Sequence, residues 1–326
     1  MWFKNLRLCT LPKNWKLSAD ELKEALATQA FAACSSIEMT STGWAPPCEG
    51  GELVHSVGRQ MLLALCTEKK LLPTSVIREF AKSRATEIEE QQGYKPGRKQ
   101  MKEIKEDVTD ELLPRAFSIK RSTRVWIDPV NGWLAIDTSS ATRAQEVMTY
   151  LIKALADRFP GKLLYSKTPP QIAMTCWLSE DAAPGGFTID DQIELSSSGE
   201  AKGKVKYVKL SVEAADIQKH ITGGKHCTQL ALTWNDKVSF VLTDTLTIKR
   251  IAPLDILKES NTGYTSDEAE KFDADFTLMT SELSLLIAHL VDALGGIADD
   301  KSAADANAAN DATENAKIQR TERAAA

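Results

Sequence analysis

The spacing of apolar and polar positions divides the chain into alternating strand-like and helix-like segments. Phe3 to Leu8 alternates as a strand, and Ser18-x-x-Glu21 is a capping box opening a helix with Leu22, Ala25 and Leu26 on one face. Another strand-like segment lies near Gln60 to Cys66. From Pro73 the period lengthens. Val76, Ile77, Phe80, Ala81 and Ile88 fall at helical spacing, Gly93, Pro96 and Gly97 interrupt them, and Met101, Ile104, Val108 and Leu112 form a second narrow stripe. Two polar helices joined by a short turn predict a helical hairpin projecting from the body.

Pro114 ends that pair. Val125, Trp126 and Ile127, then Asn131-Gly132, then Trp133 to Asp137 predict a β-hairpin, because Asn-Gly suits the left-handed dihedrals of a tight turn. Thr138 to Arg158 reads as an amphipathic helix carrying Ala144, Val147, Met148, Leu151, Ile152 and Leu155. Past Pro169-Pro170, Lys204 to Leu210 alternates, with Lys202, Lys204 and Lys206 on one strand face and Val205 and Tyr207 on the other. Ser211 to Ile221 reads as a short helix stopped at Gly223-Gly224, and Leu230, Leu232 and Trp234 match Val238, Phe240 and Leu242 as a strand pair. A last helix carries Met279, Leu283, Leu286, Ile287, Leu290, Val291 and Leu294 up to Gly295-Gly296. The pattern predicts an α+β chain with several domains. One spans 1–72 and 118–170 and is interrupted by a helical insertion at 73–117; a second covers 171–296, and an Ala/Asp-rich disordered tail occupies 297–326.

A length of 326 residues, 43% hydrophobic and 26% charged, is enough to bury more than one core. No apolar run approaches the roughly 20 residues that cross a bilayer, and MWFKNLRLCT lacks the apolar centre and cleavage site of a signal peptide. A cytoplasmic chain without membrane attachment is expected. Cys9, Cys34, Cys48, Cys66, Cys176 and Cys227 never pair as C-x-x-C, so they read as reduced thiols rather than zinc ligands.

The net charge of -5 argues against a polyanion partner until its distribution is considered. Lys95, Arg98, Lys99, Lys102, Lys105, Arg115, Lys120, Arg121 and Arg124 crowd one region, although Glu103, Glu106, Asp107, Asp110 and Glu111 lie among them. On the second predicted helix of the hairpin these cations fit two readings, nucleic-acid contact and i,i+4 pairing for solubility. The stripe of Lys202, Lys204 and Lys206 has no interleaved acids along its own strand, which favours an anion partner. Phe117 is a lone aromatic between Pro114-Arg115 and the basic run, and by pattern it packs either beneath its helix or against a partner.

Catalytic motifs are scarce. His55, His220, His226 and His289 are scattered, and Gly223-Gly224-Lys225 lacks the remainder of a P-loop. Asp273-x-Asp275, or Asp190-Asp191 with Glu194, could hold a divalent cation for phosphodiester cleavage. The competing reading makes Asp273 and Asp275 the acidic start of the last helix, and Asp190-Asp191 a solvated turn.

The start MWFKNL, GWAPP at Gly43 to Pro47, LLPRAFS at Leu112 to Ser118, WIDPVNG at Trp126 to Gly132 and KFDADFTLMTSEL at Lys271 to Leu283 together resemble the RdgC family of bacterial recombination-associated proteins. The resemblance runs in order to about Gly296 and leaves out the Ala/Asp-rich tail. It implies a crescent-shaped subunit of helical tip, central domain and base that forms a ring-shaped homodimer. The ring would admit double-stranded DNA without sequence preference, restrain RecA filament activity and act in the nucleoid without a cofactor. It would bind through cations of the kind found at Lys99, Lys102, Arg115, Lys120, Arg121, Arg124, Lys202, Lys204 and Lys206. It also implies subunit contacts at Phe117 and at Lys209 with Leu210, the latter apolar where the family can carry a polar residue. Two other functions remain open, a metal-dependent nuclease using Asp273 and Asp275 and an inhibitor that touches RecA directly.

Overall fold

The computed structural model describes residues 2–12, 15–197, 203–208, 214–259 and 267–298. The first half of the chain supplies β1 (Asn5–Thr10), α1 (Ala19–Ala27), β2 (Thr40–Ala45), β3 (His55–Val57) and β4 (Gln60–Lys70). It continues with α2 (Thr74–Gln92), α3 (Arg98–Leu112), β5 (Ser118–Asp128), β6 (Trp133–Ile136), α4 (Ala141–Leu155) and β7 (Lys162–Leu163). The second half adds α5 (Pro170–Glu180), β8 (Phe187–Ser197), β9 (Lys204–Val208), α6 (Ala214–Thr222), β10 (Lys225–Trp234), β11 (Val238–Thr243), β12 (Ile248–Pro253), α7 (Asp255–Glu259) and α8 (Glu268–Ala293). The chain is α+β, and antiparallel pairing orders the sheet β2-β4-β5-β6-β1-β12-β11-β10-β8-β9, with β3 added to β4 and β7 to β1.

Local chemistry sets the element ends. Ser18 and Glu21 complete the capping box of α1, which buries Leu22, Ala25 and Leu26. Gly93 closes α2 at φ 76°, a left-handed position that costs glycine little. α2 and α3 pack on each other through Ala81, Ile104 and Val108, with Ile77, Ile88, Met101 and Leu112 at the margin, whereas Phe80 is half exposed. β5 and β6 pair as expected, but Asp128 opposite Trp133 makes the connection four residues long, and among its residues only Gly132 has positive φ. Asn-Gly ends this longer loop instead of forming a two-residue turn. Ile152, placed on the apolar face of α4 by its spacing, is half exposed.

Two cores lie on opposite faces of the sheet. Leu62, Trp126, Trp133, Leu6, Leu8, Leu232 and Phe240 face the helices α5, α6 and α8. Met61, Leu63, Val125, Ile127, Leu134 and Ile136 face α1 and α4. The period of two along each strand produces this division, since neighbours such as Val125 and Trp126 must point to opposite sides. The helical cover therefore changes face along the sheet. α8 is long and apolar enough to cross a membrane by length and composition, contrary to the sequence reading. Its Phe276, Met279, Leu283, Leu286, Ile287 and Leu290 are buried in the first core, the packing of a central core helix. Ile297 bridges to Ser166 and the Ala298 N–H donates to the Tyr165 carbonyl, so these residues join the fold. The expected tail beyond them, 299–326, lies outside the described residues.

Candidate nucleic-acid interface

β5 carries the densest basic segment, and its register with β4 sets each neighbour: Lys120 opposite Glu68, Arg121 opposite Thr67 and Arg124 opposite Ala64. β6 joins β5 only from Val125 onward. Among the described residues, Ser118 to Thr123 thus have a strand partner on one side and an open edge on the other, where charge discourages strand addition. Lys120 and Arg124 share the Trp126 face, whereas Arg121 points the opposite way.

A buried polar anchor holds the outer end of β5. Glu68 is 6% exposed and accepts from Ser118 Oγ at 2.5 Å and the Cys34 N–H at 2.9 Å. The Ser118 bond foremost, then the Cys34 bond, hold its carboxyl below the ordinary range, with Lys120 and Lys70 adding to the effect against desolvation. Lys70 is buried and donates to the carbonyls of Ser36 and Leu113, tying the 29–36 segment and the end of α3 to β4. Lys120 Nζ stands 5.4 Å from the Phe31 ring centroid. That ring belongs to a segment so close to β2 that a Cβ on Gly43 would meet Phe31 Cα at 2.6 Å. Deeper along β5, the Arg124 charge acts on Asp137. Burial raises the Asp137 carboxyl, while bonds from the N–H groups of Asn5 and Lys4 oppose that rise.

The other cations are distributed over separate elements. On α3, Lys99 pairs with Glu103 at 4.0 Å and Lys102 with Glu106 at 3.4 Å, both i,i+4 and highly exposed. On β9 the expected alternation holds over the described residues: Lys204 and Lys206 are exposed, and Tyr207 packs toward the first core. The stripe is not free of acids, because Glu194 of β8 lies opposite Lys206 and pairs with Lys204 at 3.0 Å. The acid is on the neighbouring strand, where one strand's pattern could not reveal it. Arg115, Lys120, Arg121, Arg124 and Lys206 form no ion pair among the described residues. Lys202, Lys209 and Leu210 lie outside the described residues. β5 and β9 are seven strand steps apart, about 34 Å along the sheet at roughly 4.8 Å per step. The structure therefore distributes the described candidate cations over α3, the turn at Arg115, β5 and β9, without one common cluster among them.

Phe117 is 85% exposed, which removes the reading that it packs beneath its own helix. Its carbonyl accepts the Leu71 N–H at 2.6 Å, so the backbone is held while the ring stands in solvent. Leu71 and Ile119, close to it in the β4 and β5 register, are also exposed at 48% and 42%. The exposed apolar group at Leu71 and Ile119 was not legible from spacing, because a strand end carries no helical stripe to mark it.

Asp273 and Asp190 have structural partners. Asp267, rather than Asp273 or Asp275, caps α8 by accepting the Ala269 N–H. Asp273 Oδ1 lies 3.0 Å from His55 Nε2, and the His55 ring packs edge-on against Phe272 and Phe276. Asp190 is in β8 rather than a turn and accepts from Thr233 Oγ1 at 2.9 Å. Burial raises the Asp190 carboxyl against that bond, helped by the Asp191 charge. Among the described residues, no three His, Cys, Asp or Glu side chains form a group able to hold a metal.

Sequence reasoning also missed a junction between α8 and the β5–β6 loop. Asp128 is fully buried and accepts from Gln60 Nε2, the N–H groups of Val130 and Asn131, Asn131 Nδ2 and Ser284 Oγ. Asn131 Nδ2 also donates to Ser284 Oγ at 2.9 Å. WIDPVNG thus meets α8 at Ser284, one residue past KFDADFTLMTSEL.

Residues 1–297 match the family profile described as "RdgC: Putative exonuclease, RdgC". Recombination-associated protein RdgC of Cupriavidus pinatubonensis is 59% identical over 296 residues, covering 91% of this chain and 99% of that protein. The chain belongs to the RdgC family. The RdgC of Cupriavidus necator is 58% identical and that of Bordetella pertussis 55%, each over 91% of this chain and 99% of the relative. These RdgC proteins are named for recombination, whereas the family description names an exonuclease. In this chain Asp273 contacts His55, and Asp190 lies in a strand and accepts from Thr233.

Proposed function

We propose that this RdgC-family chain is a clamp rather than an enzyme: it binds double-stranded DNA without regard to sequence, closes around it as a homodimeric ring and restrains RecA-mediated recombination. The observation that carries the reading is Phe117, 85% exposed at the start of a strand that continues with Lys120, Arg121 and Arg124. A large apolar side chain in water beside cations suits a contact that forms only when subunits meet. In this reading 73–117 is the tip of a crescent, 1–72 with 118–170 its centre and 171–296 its base. Phe117 closes one contact, and Lys209 with Leu210 takes part in the other.

In this reading DNA contact draws on Arg115, Lys120, Arg121, Arg124, Lys202, Lys204 and Lys206. Lys99 and Lys102 must exchange a glutamate for phosphate and contribute less. Phosphate neutralisation at dispersed sites gives affinity without base readout. The reading places the protein in the cytoplasm, on the nucleoid.

Duplex affinity measured against salt for two unrelated sequences tests it. Log affinity should fall along matching lines of slope about -0.9 per phosphate neutralised. A strong preference for one sequence contradicts it. Linear DNA incubated with magnesium should remain intact, while released nucleotides would establish the exonuclease of the family description. If RecA inhibition survives excess competitor duplex, direct contact with RecA replaces the clamp.

A further inference from the structure

The chain continues past the family match. Residues 1–297 account for the profile, and the 296 residues aligned with the Cupriavidus and Bordetella relatives cover 99% of each relative's length. The extension has an uneven charge. Its first part, 299–314, holds Asp299, Asp300, Asp305, Asp311 and Glu314 against Lys301 alone. The remainder, 315–326, holds Lys317, Arg320 and Arg323 against Glu322. Apart from Ile318, the whole extension lacks large apolar side chains.

The fold fixes where this segment starts. The Lys167 N–H donates to the Gly296 carbonyl, Ile297 bridges to Ser166 and the Ala298 N–H donates to the Tyr165 carbonyl. This places its origin beside β7, which pairs with β1, two strands from β5 in the sheet. Sixteen residues, 299–314, reach up to about 53 Å at roughly 3.3 Å per residue, beyond the strand spacings that separate β1 from either β5 or β9.

We propose that the acidic segment 299–314 docks on the unpaired cations of β5 and β9 and competes with duplex DNA for them, making the extension an intramolecular brake on the clamp. Charge complementarity identifies the occupant. Lys120, Arg121 and Lys206 form no ion pair within 4.0 Å among the described residues, although Glu68 lies opposite Lys120 and Glu194 opposite Lys206, and the same chain carries a run of carboxylates with one lysine in it. Tethering makes weak contacts effective: at an effective concentration on the order of 1 mM, a segment of about 0.1 mM affinity lowers DNA affinity roughly tenfold. Because DNA then displaces carboxylates as well as counterions, the brake also makes the salt dependence shallower.

The inference rests on the DNA-binding reading, and two measurements separate their failures. In the full chain, Asp299, Asp300, Asp305 and Asp311 are changed to Asn and Glu314 to Gln, and duplex affinity is measured by anisotropy across salt. The variant should bind about tenfold more tightly at low salt, with a steeper salt slope and convergence with wild type at high salt. Ending the chain after Ala298, at the length of the relatives, should have the same effect. Equal affinities, or weaker binding by either variant, overturn the brake. The second measurement titrates a synthetic 299–314 peptide into the chain ended at Ala298. Salt-sensitive binding that is abolished in a Lys120→Glu, Arg121→Glu, Lys206→Glu variant supports the docking even if duplex does not bind. If the peptide does not bind, the docking is overturned whatever DNA does.

Discussion

Asp128 shows how a single side chain can hold two parts of this fold together. It is fully buried and takes hydrogen bonds from Gln60, Val130, Asn131 and Ser284, so Asp128→Ala takes the shared acceptor from several part-buried donors at once. The expected cost is about 2 kcal/mol, read as a lower denaturation midpoint; a loss below about 0.5 kcal/mol would mean that water replaces the carboxylate. Glu68 gives a pH signature instead. Its carboxyl is held below the ordinary range by Ser118 and then Cys34, so its contribution is complete above the unfolded value near 4.3 and disappears as pH falls through the folded value. Wild type should exceed Glu68→Gln in stability at neutral pH, and the gap should narrow below about pH 4. A gap unchanged from pH 7 to pH 3 contradicts this assignment.

At the level of elements, α2 and α3 depend mainly on one another. Their contact buries only Ala81, Ile104 and Val108, against the long apolar face of α8 in the first core. Ile104→Ala should therefore open the pair locally. Hydrogen exchange should quicken across 74–112 while β10, β11 and α8 keep their protection. Loss of protection throughout the molecule would show that the pair is integral to the main cores.

The helices were legible where a cap and a stripe agree, as at Ser18 and Glu21 with Leu22, Ala25 and Leu26. The β10–β11 pair was legible as well, because Leu230, Leu232 and Trp234 meet Leu242, Phe240 and Val238 in register. β8 was missed although Phe187, Ile189, Ile193 and Leu195 alternate, because Asp190-Asp191 looked like a turn; Thr233 accounts for the first aspartate. α5 was missed because Met174, Trp177 and Leu178 leave little amphipathic contrast to read. Among the proposed DNA contacts, sequence identified the cations but not their partners. Glu194 and Glu68 reach Lys204 and Lys120 from neighbouring strands, which no periodicity along β9 or β5 could show.

At the scale of the molecule, cations dispersed across about 34 Å of sheet fit a surface that surrounds a polyanion more naturally than a pocket that grips one end. Reversing Lys120, Arg121 and Lys206 to glutamate should weaken duplex binding without unfolding the protein. The salt slope should become shallower by about 0.9 for each phosphate that the variant no longer neutralises. An unchanged slope in the folded variant would move the DNA path to other residues. In the proposed ring, closure depends on Phe117. An isologous ring of crescents needs two contacts, so breaking one leaves a dimer held open by the other. Because the ring of Phe117 is exposed in one subunit, Phe117→Ala should leave subunit stability within about 0.5 kcal/mol of wild type.

The most direct measurement compares release at raised salt from covalently closed circular duplex with release from linear duplex of the same sequence, for wild type and Phe117→Ala, with the mass of each protein determined alongside. A closed ring can slide off an end but must open to leave a circle. Wild type should remain on the circle and depart from the linear DNA, while Phe117→Ala, still dimeric, should leave both. Wild type released equally fast from circle and line would contradict a ring that closes around DNA.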